Sequence, residues 1–366
     1  MRIIDLIKVA PDLYKNGRAV HLIGPPGIGK SDVIKHDIVR TLSEAYGEEF
    51  GYHDFLAPTV DAPDIRGFLV PTKLADGTPS SFYTRPALLP SKEYLAKHPR
   101  GLYFIDERNS ADILTNKASA PIILSKRFGD EFLPGGWQVW SASNRVEDQS
   151  GASKALKMMT NRECVIELQS DVLSWSLWAE NRKMHPLMIA FAKARPGVVF
   201  AESVPKHDGP FCTARSFVGA AEFIATMAGV DANGNANMKI DIGPVGMQVV
   251  TGFIGEAATA ELAQYIKLGA NLPDIEDILK DPMTAKCPDP KDLAVAYAVA
   301  QLLLHYAKPE NIDTLWTYAE RLPREIQVST GQNLVQRGGG VLLNSAKMTA
   351  WIRNNKALIN VSNAKR

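Results

Sequence analysis

The sequence predicts an α/β fold: a parallel sheet covered by helices on both faces, followed by a helical second half. Three observations carry that expectation. A glycine-rich loop, Gly24-Pro25-Pro26-Gly27-Ile28-Gly29-Lys30-Ser31, stands between a short apolar run and a helical repeat. Further apolar runs alternate with helical patterns as far as Leu168, as strands joined by crossover helices do. From Ser170 to about Ala270 the apolar period is helical.

The elements follow in order. Ala19 to Ile23 is a buried-strand candidate that runs into the loop. Val33, Ile34, Ile38, Val39 and Leu42 then repeat at helical spacing. His53 to Ala57 is a weaker strand candidate. Leu102 to Ile105 is a strong one and ends in Asp106-Glu107. Gln138 to Ala142 is another, ending in Ser143-Asn144, and Val165 to Leu168 is the last. Near-continuous apolar runs of this kind suit strands buried on both faces. Two insertions read as β-hairpins. Gly67 to Tyr83 carries Asp76-Gly77, which suits a type I′ turn. Phe128 to Trp137 carries Pro134-Gly135-Gly136, a tight connection into the next strand.

In the second half, Val172 to Trp178, Pro186 to Phe191, Ser216 to Met227 and Met247 to Ile266 fit helices. The Gly/Asn-rich segment Asp231 to Asn237 interrupts them. Leu272 to Pro290, rich in proline and acidic residues, reads as a linker. Residues 291–366 are helical again, broken by Gly338-Gly339-Gly340, with a polar basic tail expected to fray. The domain boundaries expected are 1–170, 171–270 and 271–366.

Composition sets the class. The 366 residues are 45% hydrophobic and 22% charged, ordinary for a globular protein with a large core. The 41 basic and 40 acidic residues nearly cancel, so charge demands neither nucleic acid nor an anionic membrane. Cys164, Cys212 and Cys287 are odd in number and far apart, which argues against a disulfide framework or a structural zinc site and for free thiols. The first eleven residues are too short and charged for a signal peptide, and no apolar run reaches a membrane-spanning length. The expected location is cytoplasmic.

Four groups of residues carry candidate chemistry. The loop matches GxxxxGK[ST], whose glycines let backbone N–H groups turn around phosphates while the following helix presents its positive end. Lys30 would place a charge on the β- and γ-phosphates of ATP, and the Ser31 hydroxyl would be a Mg²⁺ ligand. Asp106 and Glu107 close a buried strand at the edge where parallel sheets bind ligands. Asp106 would hold Mg²⁺, and Glu107 would orient the attacking water or accept its proton. Asn144 would reach between them if its strand lies between theirs. Arg162 and Arg215 are candidates to meet a transferring phosphoryl group.

The order Lys30, Asp106-Glu107, Asn144, Arg162, Arg215 resembles the AAA+ ATPases: Walker A, Walker B, sensor 1, arginine finger and sensor 2. The two hairpins resemble those of the helix-2-insert clade. Asp61-Ala62-Pro63-Asp64-Ile65-Arg66-Gly67 and Val250-Thr251-Gly252-Phe253-Ile254-Gly255 are similar to segments of its MoxR family. The likeness spans roughly residues 10–270.

That resemblance implies a three-layer αβα P-loop core with strand order 5-1-4-3-2, a helical lid and a helical C-terminal extension. It implies ATP and Mg²⁺ as cofactors, with nucleotide held by Gly24, Pro25, Pro26, Gly27, Ile28, Gly29, Lys30, Ser31 and Asp32. It implies a homo-oligomer, most simply a hexameric ring, in which Arg162 acts on a neighbour's ATP and Arg215 senses the γ-phosphate in cis. The partner implied is a protein client, which in this family is often a von Willebrand factor A-domain protein. A nucleic-acid motor and a nucleotide-dependent scaffold with slow turnover are the rival readings. Two departures from the family pattern stand out. Arg145 follows Asn144 where proline is usual, and Thr160-Asn161-Arg162-Glu163 replaces a segment close to Leu-Asp-Arg-Phe. Arg145 and Arg108 therefore remain alternatives for the trans-acting arginine.

Overall fold

A computed structural model describes residues 1–148, 161–201, 205, 209–230, 236–238, 240–269, 272–338 and 345–355. The described residues divide into two compact units, Met1–Asp171 and those from Val172 on.

The first unit is built on a five-stranded sheet of β1 (Ala19–Ile23), β2 (Gly51–Leu56), β5 (Gly101–Asp106), β8 (Trp137–Ser143) and β9 (Glu163–Glu167). All four pairings are parallel, in the order β2-β5-β8-β1-β9. Numbering only these five strands, that is the expected order 5-1-4-3-2. Alternation along each strand feeds two cores. Val20, Leu22, Leu102, Phe104, Trp140 and Ala142 pack with Leu6, Ala10, Ile34, Ile38 and Leu42. Those partners lie on the helix Ile3–Asn16 and on the helix that follows the glycine-rich loop. Tyr103, Ile105, Trp137 and Val139 face the other way, toward Ala118, Ile122 and Ile123 of the helix Ile113–Ser125. The layers are therefore helix, sheet, helix.

The helix after the loop is continuous from residue 30 to residue 46 but widens to π pitch over Val33–Ile38. Val33, Ile34, Ile38 and Leu42 are buried along it, as their spacing predicts.

Both hairpins exist, with turns that differ from expectation. The first pairs β3 (Leu69–Lys73) with β4 (Pro79–Tyr83). Its turn is not type I′, which needs two consecutive left-handed residues. Only Gly77 has positive φ (+82°), and its N–H bonds Leu74 O at 2.9 Å, as in a type I turn closed by a glycine bulge. The second is short: β6 (Arg127–Phe128) and β7 (Glu131–Phe132) turn at Gly129-Asp130. Pro134 to Gly136 then lead into β8, where Trp137 N–H bonds Pro134 O.

Among its described residues the second unit's regular elements are all helices, apart from an isolated Val230–Ala236 bridge. Helices Val172–Asn181, Pro186–Ala194 and Ala214–Ala228, with the kinked helical run Gly243–Gly269, hold a core around Leu187, Phe191, Phe217, Ile224, Val250 and Tyr265. The run from Met247 to Ile266 is not one helix. Gly255 (φ +78°, ψ 167°) breaks it, and a Cβ there would meet Pro210 O at 2.5 Å. The expected linker at Leu272 to Pro290 is also corrected. It contains the helix Ile275–Lys280, and its Ile278 and Ala285 are buried beside Trp316, Tyr318 and Leu303. Helix Leu293–Tyr306 adds Ala298 to the core of the preceding helices. Lys193 and Asn333 both donate to Glu180 Oε1 at 3.2 Å, tying helices Pro186–Ala194 and Arg324–Gly338 to Val172–Asn181. The Gly/Asn-rich segment over 231–235, residues 339–340 and the tail from 356 lie outside the described residues. All three cysteines are free. No helix among the described residues is long and apolar enough to cross a membrane.

Close approach of β2, β5 and β8 at their N-terminal ends depends on Gly51 and Gly101. A Cβ on Gly101 would lie 2.7 Å from both Gly51 O and the Trp137 ring. Backbone and a buried indole cannot both move away, so Gly101→Ala should destabilise by about 1–3 kcal/mol through overpacking. Urea denaturation of the purified variant measures it, and an unchanged midpoint would contradict this packing.

Candidate functional site

Sheet order brings the candidate residues to one edge. β8 lies between β1 and β5, so the C-terminal ends of these three strands carry the glycine-rich loop, Asn144 and Asp106-Glu107 side by side.

The loop leaves β1 at Gly24, whose N–H bonds Ser143 O on β8. Gly27 and Gly29 both have left-handed φ (+72° and +88°), which a side chain would oppose. The chain then enters a helix whose first residues are Lys30, Ser31 and Asp32. The N–H groups of that first turn have no intrahelical partner and point back over the loop. Gly24 and Pro25 are buried, Pro26, Gly27, Ile28, Gly29 and Ser31 half-buried, and Asp32 exposed.

Lys30 is buried, and its ammonium donates to Gly24 O, Pro25 O and Asn144 Oδ1, each at 2.9 Å. Ser31 donates to Asp106 Oδ2 at 2.5 Å. Asp106 Oδ1 accepts from the Glu107 N–H at 2.9 Å. Asn109 Nδ2 donates to Asn144 O at 2.7 Å. Hydrogen bonds thus run from the loop and helix after β1 to the ends of β8 and β5. Lys30, Ser31, Asp106 and Asn144 form one cluster, with Glu107 next to it.

Glu107 has φ +48° and ψ 38°. A left-handed non-glycine residue is uncommon and costs on the order of 1–3 kcal/mol, so its surroundings must impose it. The strand ends abruptly there and a 3₁₀ turn, Arg108–Ser110, begins.

The four arginines separate by burial. Arg108 is buried, and both its terminal nitrogens bind the Glu163 carboxylate, one of them at 3.1 Å. It also donates to Ser141 Oγ at 3.1 Å. Arg145 folds back on Asp148, with contacts of 3.2 and 3.0 Å. Arg162 is exposed, in a turn just before β9, and forms no ion pair among the described residues. Arg215 is exposed on the first turn of helix Ala214–Ala228, in the second unit. A box between Thr213 and Ser216 caps that helix, with Thr213 Oγ1 accepting from Ser216 N–H at 3.1 Å.

A buried polar strip went unread in the sequence. His21 Nδ1 lies 2.8 Å from Ser141 Oγ and its Nε2 lies 3.2 Å from Ser143 Oγ. With Arg108 and Glu163, these residues form a continuous network across β8, β1 and β9, on the face where Val139 is apolar. Burial, with Arg108 and then Lys30 nearby, pushes the His21 pKa well below the usual imidazole value and keeps the ring neutral. The available signal was the alternation of Ser141 and Ser143 opposite a histidine inside an apolar strand.

No protein-family model matches the chain, and no curated protein matches it. Among solved structures it is similar to a point mutant of Thermotoga maritima RuvB at 14% identity, covering 80% of each chain with a TM-score of 0.38. A second point mutant of the same protein gives 14% identity, 92% of this chain, 87% of the other and a TM-score of 0.38. NtrX from Brucella abortus gives 15% identity, 97% of this chain, 67% of the other and a TM-score of 0.34. Likeness at these levels leaves the chemistry of the site to its own geometry.

Removing one partner of a buried ion pair strands the other. Glu163→Ala should therefore lower the unfolding free energy by about 3–5 kcal/mol. The shift in urea midpoint tests this, and a loss below about 1 kcal/mol would mean the pair behaves as a solvated one.

Proposed function

We propose that this chain is a MoxR-like AAA+ ATPase that works in an oligomeric ring, hydrolysing ATP to ADP and phosphate to remodel or assemble a protein partner. One observation carries the reading. A phosphate-binding loop, a hydroxyl–carboxylate pair, a carboxylate on a left-handed turn and an asparagine converge on the edge of three adjacent parallel strands, where open α/β sheets bind ligands.

The residues fit the cofactors. The loop and the first turn of its helix supply N–H donors for phosphate oxygens. Ser31 and Asp106, already hydrogen-bonded, offer hard oxygen ligands of the kind Mg²⁺ takes alongside phosphates and water. Bound there, the ion would neutralise charge on the β- and γ-phosphates. Lys30 would exchange its loop carbonyls for phosphate oxygens. Glu107 would orient the attacking water and take its proton, and Asn144 would help hold that water near the γ-phosphate.

The trans-acting arginine is best assigned to Arg162. Arg108 is committed inside the fold and Arg145 to Asp148, whereas Arg162 is exposed and so accessible to a neighbouring subunit. Arg215 would sense the γ-phosphate in cis from the helical unit. A hexamer, a cytoplasmic setting and a von Willebrand factor A-domain client belong to the same reading, supported by the motif order and the paired hairpins.

Steady-state turnover and equilibrium nucleotide binding test the chemistry together. Glu107→Gln should retain ATP affinity and lose about 10²-fold or more in rate. Lys30→Ala should weaken ATP binding by about 1.5–3 kcal/mol, the contribution of charge-assisted hydrogen bonds. Parental turnover in Glu107→Gln would remove Glu107 from the role.

Arg162→Ala should be slowed by about 10³-fold. Mixing it with Lys30→Ala subunits should restore activity, because the mixed interface joins an intact loop to an intact finger. No recovery at any ratio, with assembly preserved, would exclude Arg162.

A further inference from the structure

The geometry points to the buried Arg108–Glu163 pair as a positioning device for Glu107: it clamps the left-handed turn that aims this carboxylate. The inference rests on the ATPase reading and adds two residues to it.

Glu107 is in a backbone conformation that it would not hold unaided. Its N–H is fixed by Asp106 Oδ1, and its carbonyl accepts from Ser110 N–H at 2.9 Å. These bonds are local to the turn and would move with it. The anchor to the rest of the sheet comes from the next residues. Arg108 reaches across β8, donates to Ser141 there, and ends in a two-pronged contact with Glu163 on β9. Asn109 adds a bond to Asn144 O at the end of β8. A planar guanidinium gripped at both terminal nitrogens has little freedom to rotate. It therefore fixes the direction in which the chain leaves β5, and with it the φ of Glu107.

A buried pair of charges is a poor stabiliser compared with apolar packing of the same volume. Its place immediately after Glu107 is what gives it a second use. Glu107 is the group aimed at water; Arg108 and Glu163 act only through it.

The test separates positioning from folding. The double variant Arg108→Met/Glu163→Met replaces both charges with apolar chains of similar length and leaves neither partner stranded. We expect it to fold with a melting temperature within a few degrees of the parent. ATP affinity should stay within about threefold of the parent, while kcat should fall about 10–100-fold, as misplacement of a reacting group does. A folded double variant with parental kcat would overturn the inference. So would a double variant that cannot fold, because the pair would then be a requirement of the fold itself. Glu107→Gln run alongside tells the two failures apart. If that variant turns over at the parental rate, the ATPase role of Glu107 has failed. If it is inactive while the double variant is parental, only the positioning role has.

Discussion

The site depends on the register of three parallel strands. β5 pairs with β8 so that Ile105 stands beside Ser141, and β8 pairs with β1 so that Ser143 stands beside Ile23. That register places Asp106, Asn144 and Gly24 at one edge. Apolar packing on both faces holds it, because a one-residue slip would turn Leu102, Phe104, Trp140 and Leu22 from one core into the other. The hydrogen bonds from Lys30 to Asn144 and from Ser31 to Asp106 become possible only once those strands are aligned. They do not build the sheet; they report that it is built.

Beneath that edge, from Ser143 down to Glu163 at the start of β9, the sheet gives up part of its apolar face. His21, Ser141, Ser143, Arg108 and Glu163 are all buried, and each such group needs a partner to offset lost hydration. The network supplies one for each. Its cost is confined to these groups, since Tyr103, Ile105 and Val139 on the same face keep an apolar core beside them. Strained backbone at Glu107 and a satisfied polar network beside it are two aspects of one local arrangement: the fold holds an unfavourable turn by giving its neighbours fixed partners.

Much of this was legible in the sequence. The loop and the two strand-end motifs rest on local patterns, and Asp106, Glu107 and Asn144 fell where strand periodicity placed them. Strand order followed from family resemblance rather than from periodicity, since five apolar runs do not state who pairs with whom. What stayed hidden was non-local. Nothing in Ile105-Asp106-Glu107-Arg108 says that the arginine turns inward to a glutamate far along the chain. Asp76-Gly77 named a turn but not its type, because that depends on whether one residue or two must take positive φ. Leu272 to Pro290 read as a linker from composition, yet Ile278 and Ala285 are buried by helices that follow it.

The arginines show why burial decides what spacing leaves open. Sequence offered three candidates for a residue that must reach another subunit. A guanidinium can act in trans only if its charge is not already neutralised at home, because leaving a buried partner strands a carboxylate. Arg108 fails that condition most severely, since Glu163 is its buried counter-ion and departure would also unlock Ser141. Arg145 would have to abandon Asp148, whose side chain is 2% exposed. Arg162 leaves no such group behind among the described residues. It also stands directly before Glu163, at the root of the strand to which Arg108 is tied. The residue proposed to act on a neighbour and the pair proposed to hold the subunit's own glutamate thus share one anchor point. A change at β9 would be felt by both.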